Sequence, residues 1–213
     1  MKRDIKDVFK YWMFKDHRQY GEFGLPLIEK ETVIPKEIIP FNYASSTARK
    51  LKEDELKMKF IHFFIDDYQF ERVWNNPKAY IELFKKYGGI IMPDYSVYRN
   101  FPKAVQVYNV FKSRTLSAYY QRHGIPVIPN ITWSDEESLE WILDGLPKGS
   151  VIATSSNGVL NSLVVDDFVR LFNIVIDRLE PTTIMFVGKK PKNLTDKRIK
   201  EYDSHLQTMR RVI

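Results

Sequence analysis

A short apolar run that stops on two carboxylates is the feature that most constrains this chain. Residues 60–65 carry mainly apolar side chains on both faces, and Asp66 and Asp67 follow directly. Such a run is typical of a buried parallel strand, because a half-solvated strand would alternate with polar residues. Four later segments repeat the pattern of a short β-prone run with a polar end, at residues 90–94, 127–133, 151–156 and 183–188.

The spacing of these runs predicts an α/β fold. Strands are expected to begin near residues 38, 60, 90, 127, 151 and 183, with enough chain between them for a helix. Asn76-Pro77 opens and Gly88-Gly89 closes one such helix, as proline and glycine commonly do. The alternation indicates a mostly parallel sheet of about six strands with right-handed crossovers. Polar strand ends favour a small or partial TIM-like barrel over an open doubly wound sheet, which periodicity alone does not separate from it.

The two ends of the chain are expected to differ from this central pattern. Residues 4–17 carry apolar side chains at helical spacing, and an irregular segment rich in glycine and proline follows to residue 37. Residues 38–213 are predicted to form a single α/β domain. A basic helix capped by Thr195 and running through Arg210 is expected to end it.

Composition excludes several kinds of chemistry and narrows the partners. With no cysteine there are no disulfides, zinc-thiolate sites or cysteine nucleophiles. No apolar stretch reaches the roughly 18 residues of a membrane span, and the N-terminus lacks a signal-peptide core, so we expect a soluble, cytoplasmic protein. The formal charge of +6 makes nucleic acid or a phosphorylated small molecule a plausible partner, although many soluble proteins are mildly basic.

Polar residues that follow the predicted strands should meet around one mouth, because parallel strands point their carboxyl ends the same way. Asp67 and Asp94 are the candidate catalytic residues, either dividing acid and base roles or, with Asp66, holding a divalent metal such as Mg²⁺ over a phosphate. The competing interpretation is that an aspartate after a strand caps the next helix. The residues expected at the mouth are Asn42, Asp66, Asp67, Asp94, Asn130, Thr132, Ser155, Ser156 and Lys189.

Three side chains beyond the third strand are candidate binding residues. Arg99 belongs to a polar, aromatic loop and could hold an anion, whereas Asn109 and Arg114 lie on the helix that follows. Arg114 has apolar neighbours, and a partly buried guanidinium needs a carboxylate or phosphate partner. Pairing with Asp67 or Asp94 would turn those catalytic candidates into a salt bridge.

Weaker binding signals follow the later strands. Trp133 could stack on a base or sugar, but its place before a helix start favours a hydrophobic staple. Ser155 and Ser156, followed by Asn157-Gly158, stand at a strand-to-helix turn whose backbone N–H groups could meet an anion, and Lys189 could contact a phosphate.

Several motifs resemble a known but uncharacterised bacterial and phage family, the domain of unknown function numbered forty-four seventeen. Residues 62–74, 93–96 and 121–129 carry the resemblance, and residues 147–151 and 155–158 extend it to roughly residues 38 to 190. The resemblance implies a phage or mobile-element setting, and hence the bacterial host's cytoplasm, but no activity. It makes five of the candidates members of the family pattern: Asp67, Asp94, Asn109, Arg114 and Trp133.

Two functional hypotheses therefore stay open. The first is an enzyme whose strand-end carboxylates act on a nucleotide or nucleic acid. The second is a non-catalytic phage factor that binds nucleic acid or a host protein, in replication or counter-defence.

Overall fold

The computed structural model describes residues 8–156 and 162–204 as two parallel sheets and one small antiparallel ribbon. The ribbon pairs β1 (Gln19–Tyr20) with β2 (Leu25–Pro26). The first parallel sheet contains β3 (Glu37–Pro40), β4 (Lys59–His62), β5 (Gly89–Ile91) and β6 (Val127–Ile128). The second contains β7 (Val151–Ser155), β8 (Thr183–Val187) and β9 (Ile199–Tyr202).

Helices connect the parallel strands from β3 to β8 in the predicted alternation. The first four are α1 (Tyr11–Phe14), α2 (Phe41–Thr47), α3 (Glu53–Lys57) and α4 (Asp67–Asn75). A 3₁₀ turn (Pro77–Tyr80) leads into α5 (Ile81–Lys85), and α6 (Lys103–Arg122), α7 (Leu139–Ile142) and α8 (Ser162–Leu179) follow. No helix among residues 8–156 and 162–204 is long and apolar enough to cross a membrane.

The six predicted strands are confirmed, and the structure adds a seventh parallel strand as well as the two strands of the ribbon. A terminal helix was expected from Thr195, but Ile199–Tyr202 is the strand β9, which pairs in parallel with β8. Its two central residues are exposed and its two end residues half-buried, so it presents charged side chains at the sheet edge, as edge strands often do. The rest of the predicted helix, residues 205–210, lies outside the described residues.

Two other predicted helices are shorter than expected. The N-terminal helix is helical only at Tyr11–Phe14, with turns on either side, and residues 4–7 lie outside the described residues. The helix expected after Ser134 begins at Leu139, because Ser138 rather than Ser134 organises the turn: its hydroxyl accepts from the Ser134 backbone N–H at 3.1 Å.

The strand order follows the chain order without reversal. Each strand from β3 to β6 pairs in parallel with the next, as do β7 to β9. A single parallel bridge between Asn130 and Ala153 links β6 to β7. A doubly wound sheet reverses its strand order at a switch point, and neither of these two parallel sheets does so. No closed barrel is detected among the described strands.

One apolar cluster takes side chains from all seven parallel strands. Phe60 lies in it at 1% exposure and fits against Gly89 of the next strand. The cluster consists of Phe60, Phe64, Ile91, Ile128, Val151, Ala153, Met185 and Val187, with Ile38 and Tyr202 packed against it. Because the strands are parallel, the residues that follow their carboxyl ends lie on the same side of this cluster.

Candidate functional site

Asp67 joins the end of β4 to the loop after β5. It is the first residue of α4, and its carboxylate accepts hydrogen bonds from the Ser96 backbone N–H at 3.1 Å and the Ser96 hydroxyl at 3.0 Å. Asp66, one residue earlier, is exposed and accepts from the Gln69 amide at 3.2 Å. Asp66 occupies the N-cap position without a side-chain capping bond. Asp67 therefore holds two segments together, a role that the capping interpretation did not include.

Asp94 follows β5 with its carboxyl group enclosed by protein, although the residue as a whole is half-buried. The carboxyl oxygen Oδ1 accepts a hydrogen bond from the Asn130 side-chain amide at 2.6 Å. Burial raises the pKa of Asp94 to about 7; the hydrogen bond from Asn130 opposes this rise, and the negative charge of Asp67 adds to it. Asp94 can therefore gain or lose a proton near neutral pH.

Helix α6 fixes the loop that carries Asp94. The Asn109 amide donates to the Ser96 carbonyl at 2.7 Å, and the Ser113 hydroxyl donates to the Pro93 carbonyl. Asn109 and Ser113 are four residues apart and so lie on the same face of the helix. The two bonds anchor the loop on both sides of Asp94, so Asn109 has a positioning contact in addition to its predicted binding role.

Arg114 pairs with neither catalytic candidate. Its Nη2 donates to the Ile142 carbonyl at 2.6 Å, and the nearby carboxylate that raises its pKa is Asp144. Burial outweighs Asp144 and lowers the pKa of Arg114 to about 9. The alternative in which Arg114 forms a salt bridge with Asp67 or Asp94 is therefore not the one that the described residues adopt, and neither carboxylate is taken up by Arg114.

Arg99 and Trp133 have structural partners. Arg99 donates to Asp167 at 2.8 Å and to the Ser134 carbonyl at 3.2 Å. The half-buried Trp133 ring stacks on Phe168 with 5.1 Å between centroids. Arg99 therefore forms an ion pair at the surface and Trp133 packs against α8, and the binding roles of both side chains stay predictions.

The other predicted residues at the mouth are spread over several strand ends. The Asn42 amide donates to Gln69 at 3.1 Å, and Gln69 also donates to Asp66. Ser156 is buried at the end of β7, where its N–H meets the Val187 carbonyl at 3.4 Å, and Ser155 is half-buried beside it. Lys189 is exposed just after β8. Asn157 and Gly158 lie outside the described residues.

Sequence reasoning missed two parts of this neighbourhood. Ser96, which supplies both donors to Asp67, lies in the polar loop after Asp94, and that position was its only signal. Lys112 is buried on α6, forms an ion pair with Glu71 at 3.2 Å and lies 3.8 Å from the centre of the Tyr95 ring. A lysine between Phe111 and Ser113 on a helix gives no sign of such a partner.

The predicted metal site stays a prediction. Within the described parts of the chain, no three or more histidine or acidic side chains cluster closely enough to hold a metal ion. Asp67 lies near enough to Asp94 for its charge to raise the pKa of Asp94, but Asp66 faces solvent. The arrangement is a pair of carboxylates of which one titrates near neutral pH.

Comparison with known proteins places the chain in a family. The family model described as domain of unknown function DUF4417 matches residues 17–203. The Gene 1 protein of Mycobacterium phage L5 is 38% identical over 130 residues, which cover 61% of this chain and 57% of that protein. The Gene 1 protein of Mycobacterium phage D29 is 31% identical over 196 residues, which cover 90% of this chain and 70% of that protein.

The alignment with the L5 protein spans less than two thirds of that relative's length. No solved structure matches the chain. The family model nevertheless covers most of the sequence and confirms the resemblance found in its motifs. The chain belongs to the DUF4417 family, and its homologues include mycobacteriophage Gene 1 proteins.

Proposed function

We propose that this phage-related protein is an enzyme that acts on a phosphate-containing substrate, a nucleotide or nucleic acid, with Asp94 as its acid–base group. The observation that carries the proposal is the enclosed Asp94 carboxyl, whose pKa is raised to about 7 beside Asp67. General acid–base catalysis works best when the pKa of the group lies near the working pH. Two neighbouring carboxylates with different environments are a recurrent way to divide acid and base roles.

The surrounding contacts suggest a role for each side chain. Ser96 gives the Asp67 carboxylate two hydrogen bonds, and the negative charge of Asp67 favours the protonated form of Asp94. Asn130 orients the Asp94 carboxyl through the bond to Oδ1. Asp94 would accept a proton from an attacking water or hydroxyl group and return it to the leaving group. Metal binding is the alternative role of this pair: Asp67 and Asp94 would then supply carboxylate oxygens to a cation such as Mg²⁺, which would place positive charge next to the phosphate, and Asp94 would not carry the proton.

We infer further that the two sheets form one partial barrel. The Tyr202 hydroxyl at the end of β9 donates to the Pro35 carbonyl, just before β3, at 2.8 Å. Ile38 and Tyr202 pack against the same apolar cluster, so the first and last strands of the parallel series lie near each other. A partial barrel would bring Lys189, Ser155 and Asp94 around one mouth, where Lys189 could contact a phosphate.

The test is turnover of nucleotides and short DNA by the full chain, with Mg²⁺ and with a chelator. Asp94→Asn should reduce turnover by about 100-fold or more, because it removes the proton-transfer group. Asp54→Asn, an exposed aspartate on α3, is the matched control and should keep wild-type activity. Equal turnover in wild type and Asp94→Asn would refute the acid–base role.

Asp67→Asn tests the coupling between the two carboxylates. Removing the charge of Asp67 should lower the pKa of Asp94 below its wild-type value of about 7 and move the acidic limb of the activity profile to lower pH. It should also cost about 2 kcal/mol of stability, because Ser96 loses a charged acceptor. Urea unfolding and the pH–rate profile measure the two effects, and a profile that does not move would argue against the coupling.

The second candidate is a non-catalytic factor that binds nucleic acid or a host protein in the host cytoplasm. The net charge of +6 favours it, together with exposed lysines after β8 at positions 189, 192 and 197. Affinity for DNA should then fall steeply as salt rises, because binding releases counterions. Lys189→Ala with Lys192→Ala should flatten this salt dependence, whereas Asp94→Asn should leave it unchanged. A salt-independent affinity would exclude phosphate contacts as the basis of binding.

A further inference from the structure

A small recess adjoins the candidate site beside Pro93, Tyr95 and Asn130. Arg114, Asn130, Thr132 and Tyr95 line it, and apolar side chains close it. Its volume is about 20 Å³, which is room for one oxygen atom of the size of a water molecule. Asn130 belongs to both places, because its amide also holds Asp94.

Arg114 brings a buried positive charge to this recess, and the nearby carboxylate of Asp144 compensates this charge only in part. The side chain is 1% exposed, and only Nη2 has a hydrogen-bond acceptor, the Ile142 carbonyl. Within the described part of the chain, Nε and Nη1 are buried without partners, and no carboxylate forms an ion pair with the guanidinium. Leaving a buried charge and its donors unpaired costs several kcal/mol. An anionic acceptor in the recess would compensate both the charge and the donors.

Asn130 brings a hydrogen-bond acceptor without a donor to the same recess. Its Nδ2 donates to Asp94, but its Oδ1 is buried and accepts from no described residue. An oxygen atom that satisfies both side chains must accept from the guanidinium and donate a proton to the amide oxygen. The P–OH oxygen of a hydrogen phosphate or phosphate monoester meets both conditions. Sulfate does not, because it carries no proton near neutral pH.

We propose that this recess binds a protonated phosphate oxygen, with Arg114 donating and the Asn130 amide oxygen accepting. The inference rests on the proposed function for its setting, since the phosphate would belong to the substrate on which Asp94 acts. It narrows the substrate to a compound with a terminal phosphate. An internal phosphodiester, whose oxygens carry no proton, fits the recess poorly.

The experiment compares inorganic phosphate with sulfate, at equal ionic strength and about pH 6.5, by calorimetry and thermal shift. Phosphate should raise the unfolding midpoint of the wild type, and sulfate should raise it much less. Arg114→Met should weaken phosphate binding at least tenfold. Arg49→Met, the same change at an exposed arginine, should bind phosphate like the wild type. Equal phosphate affinity in Arg114→Met, no phosphate binding by the wild type, or equal effects of sulfate and phosphate would overturn the proposal.

Two further variants keep the test decisive. Methionine removes a buried charge at similar volume, a change that proteins often tolerate well. If Arg114→Met does not fold, Arg114→Lys should still bind phosphate less tightly than the wild type, and unchanged affinity would overturn the proposal. Asp94→Asn separates the two proposals, because it should lose turnover and keep phosphate binding. Phosphate binding without any turnover in the wild type would leave the recess standing and remove the acid–base function.

Discussion

Replacing Asp94 with asparagine should make the protein more stable than the wild type at about pH 8. Burial raises the pKa of Asp94 from 3.8 to about 7, so the folded protein keeps this proton over a pH range in which the unfolded chain releases it. The wild type therefore loses stability as the pH rises through this range, by about 2–4 kcal/mol. Below about pH 4 both states are protonated and the penalty is absent. Asparagine has no proton to lose and avoids it.

Urea unfolding of the wild type, Asp94→Asn and Asp54→Asn at several pH values between about 4 and 8 measures this effect. The stability of Asp54→Asn should follow the wild type in parallel across this range, since Asp54 is exposed. Asp94→Asn should diverge upwards as the pH rises. Parallel curves for Asp94→Asn and wild type would show that the carboxyl titrates normally. A variant that gains stability and loses turnover would separate the chemical role of Asp94 from any role in folding.

Replacing Gly89 with alanine should destabilise the fold by about 3 kcal/mol. A Cβ atom at this position would come within 2.5 Å of both the Phe60 ring and the Pro126 carbonyl oxygen. Phe60 is 1% exposed in the cluster that the seven parallel strands share. The Pro126 carbonyl precedes β6 and accepts a hydrogen bond from the Ile90 N–H, so neither group can move freely. Relief would require separating β5 from its neighbours.

Gly124→Ala is the matched control for this prediction. Gly124 has a φ of +73° and open space around it, so alanine there adds only the backbone strain of about 1 kcal/mol. Thermal or urea unfolding of the two variants should place Gly89→Ala well below Gly124→Ala. Equal losses would mean that the strands do not pack around Phe60 as described.

The strands were predictable because burial leaves a clear mark in the sequence. Each predicted strand is a short, mainly apolar run, because parallel strands covered on both faces carry few polar residues. Ile199–Tyr202 has no such mark, because it lies at a sheet edge with Lys200 and Glu201 facing solvent. An exposed pair of charges fits a helix as well as an edge strand, so composition alone could not identify β9.

The carboxylate pair could be predicted from topology, but its chemistry could not. Asp67 and Asp94 follow neighbouring strands of a parallel sheet, which is enough to expect them near each other. The pKa of Asp94 depends on how closely the loop and α6 enclose it, and this depends on contacts such as that of Asn109 with Ser96. Such contacts join residues far apart in the chain and leave no pattern in it.

The partner of Arg114 could not be identified from the sequence, which left pairing with Asp67 or Asp94 open. A buried guanidinium calls for an acceptor, and the nearest carboxylates in the predicted topology were Asp67 and Asp94. The acceptor is instead the backbone carbonyl of Ile142. Every residue has a backbone carbonyl, so the sequence gives no indication of which one will be close. Because Arg114 donates to this carbonyl, neither aspartate is paired with it, and two nitrogen atoms of the guanidinium keep unused donors.

Direct titration of the Asp94 carboxyl would show whether its pKa in the folded protein is raised. NMR of protein with ¹³C-labelled aspartate would follow the carboxyl signals with pH, and the signal missing from Asp94→Asn identifies Asp94. We expect a pKa of about 7 for Asp94 in the wild type and a lower value in Asp67→Asn. A midpoint near the ordinary aspartate value of about 4 in the folded wild type would contradict it.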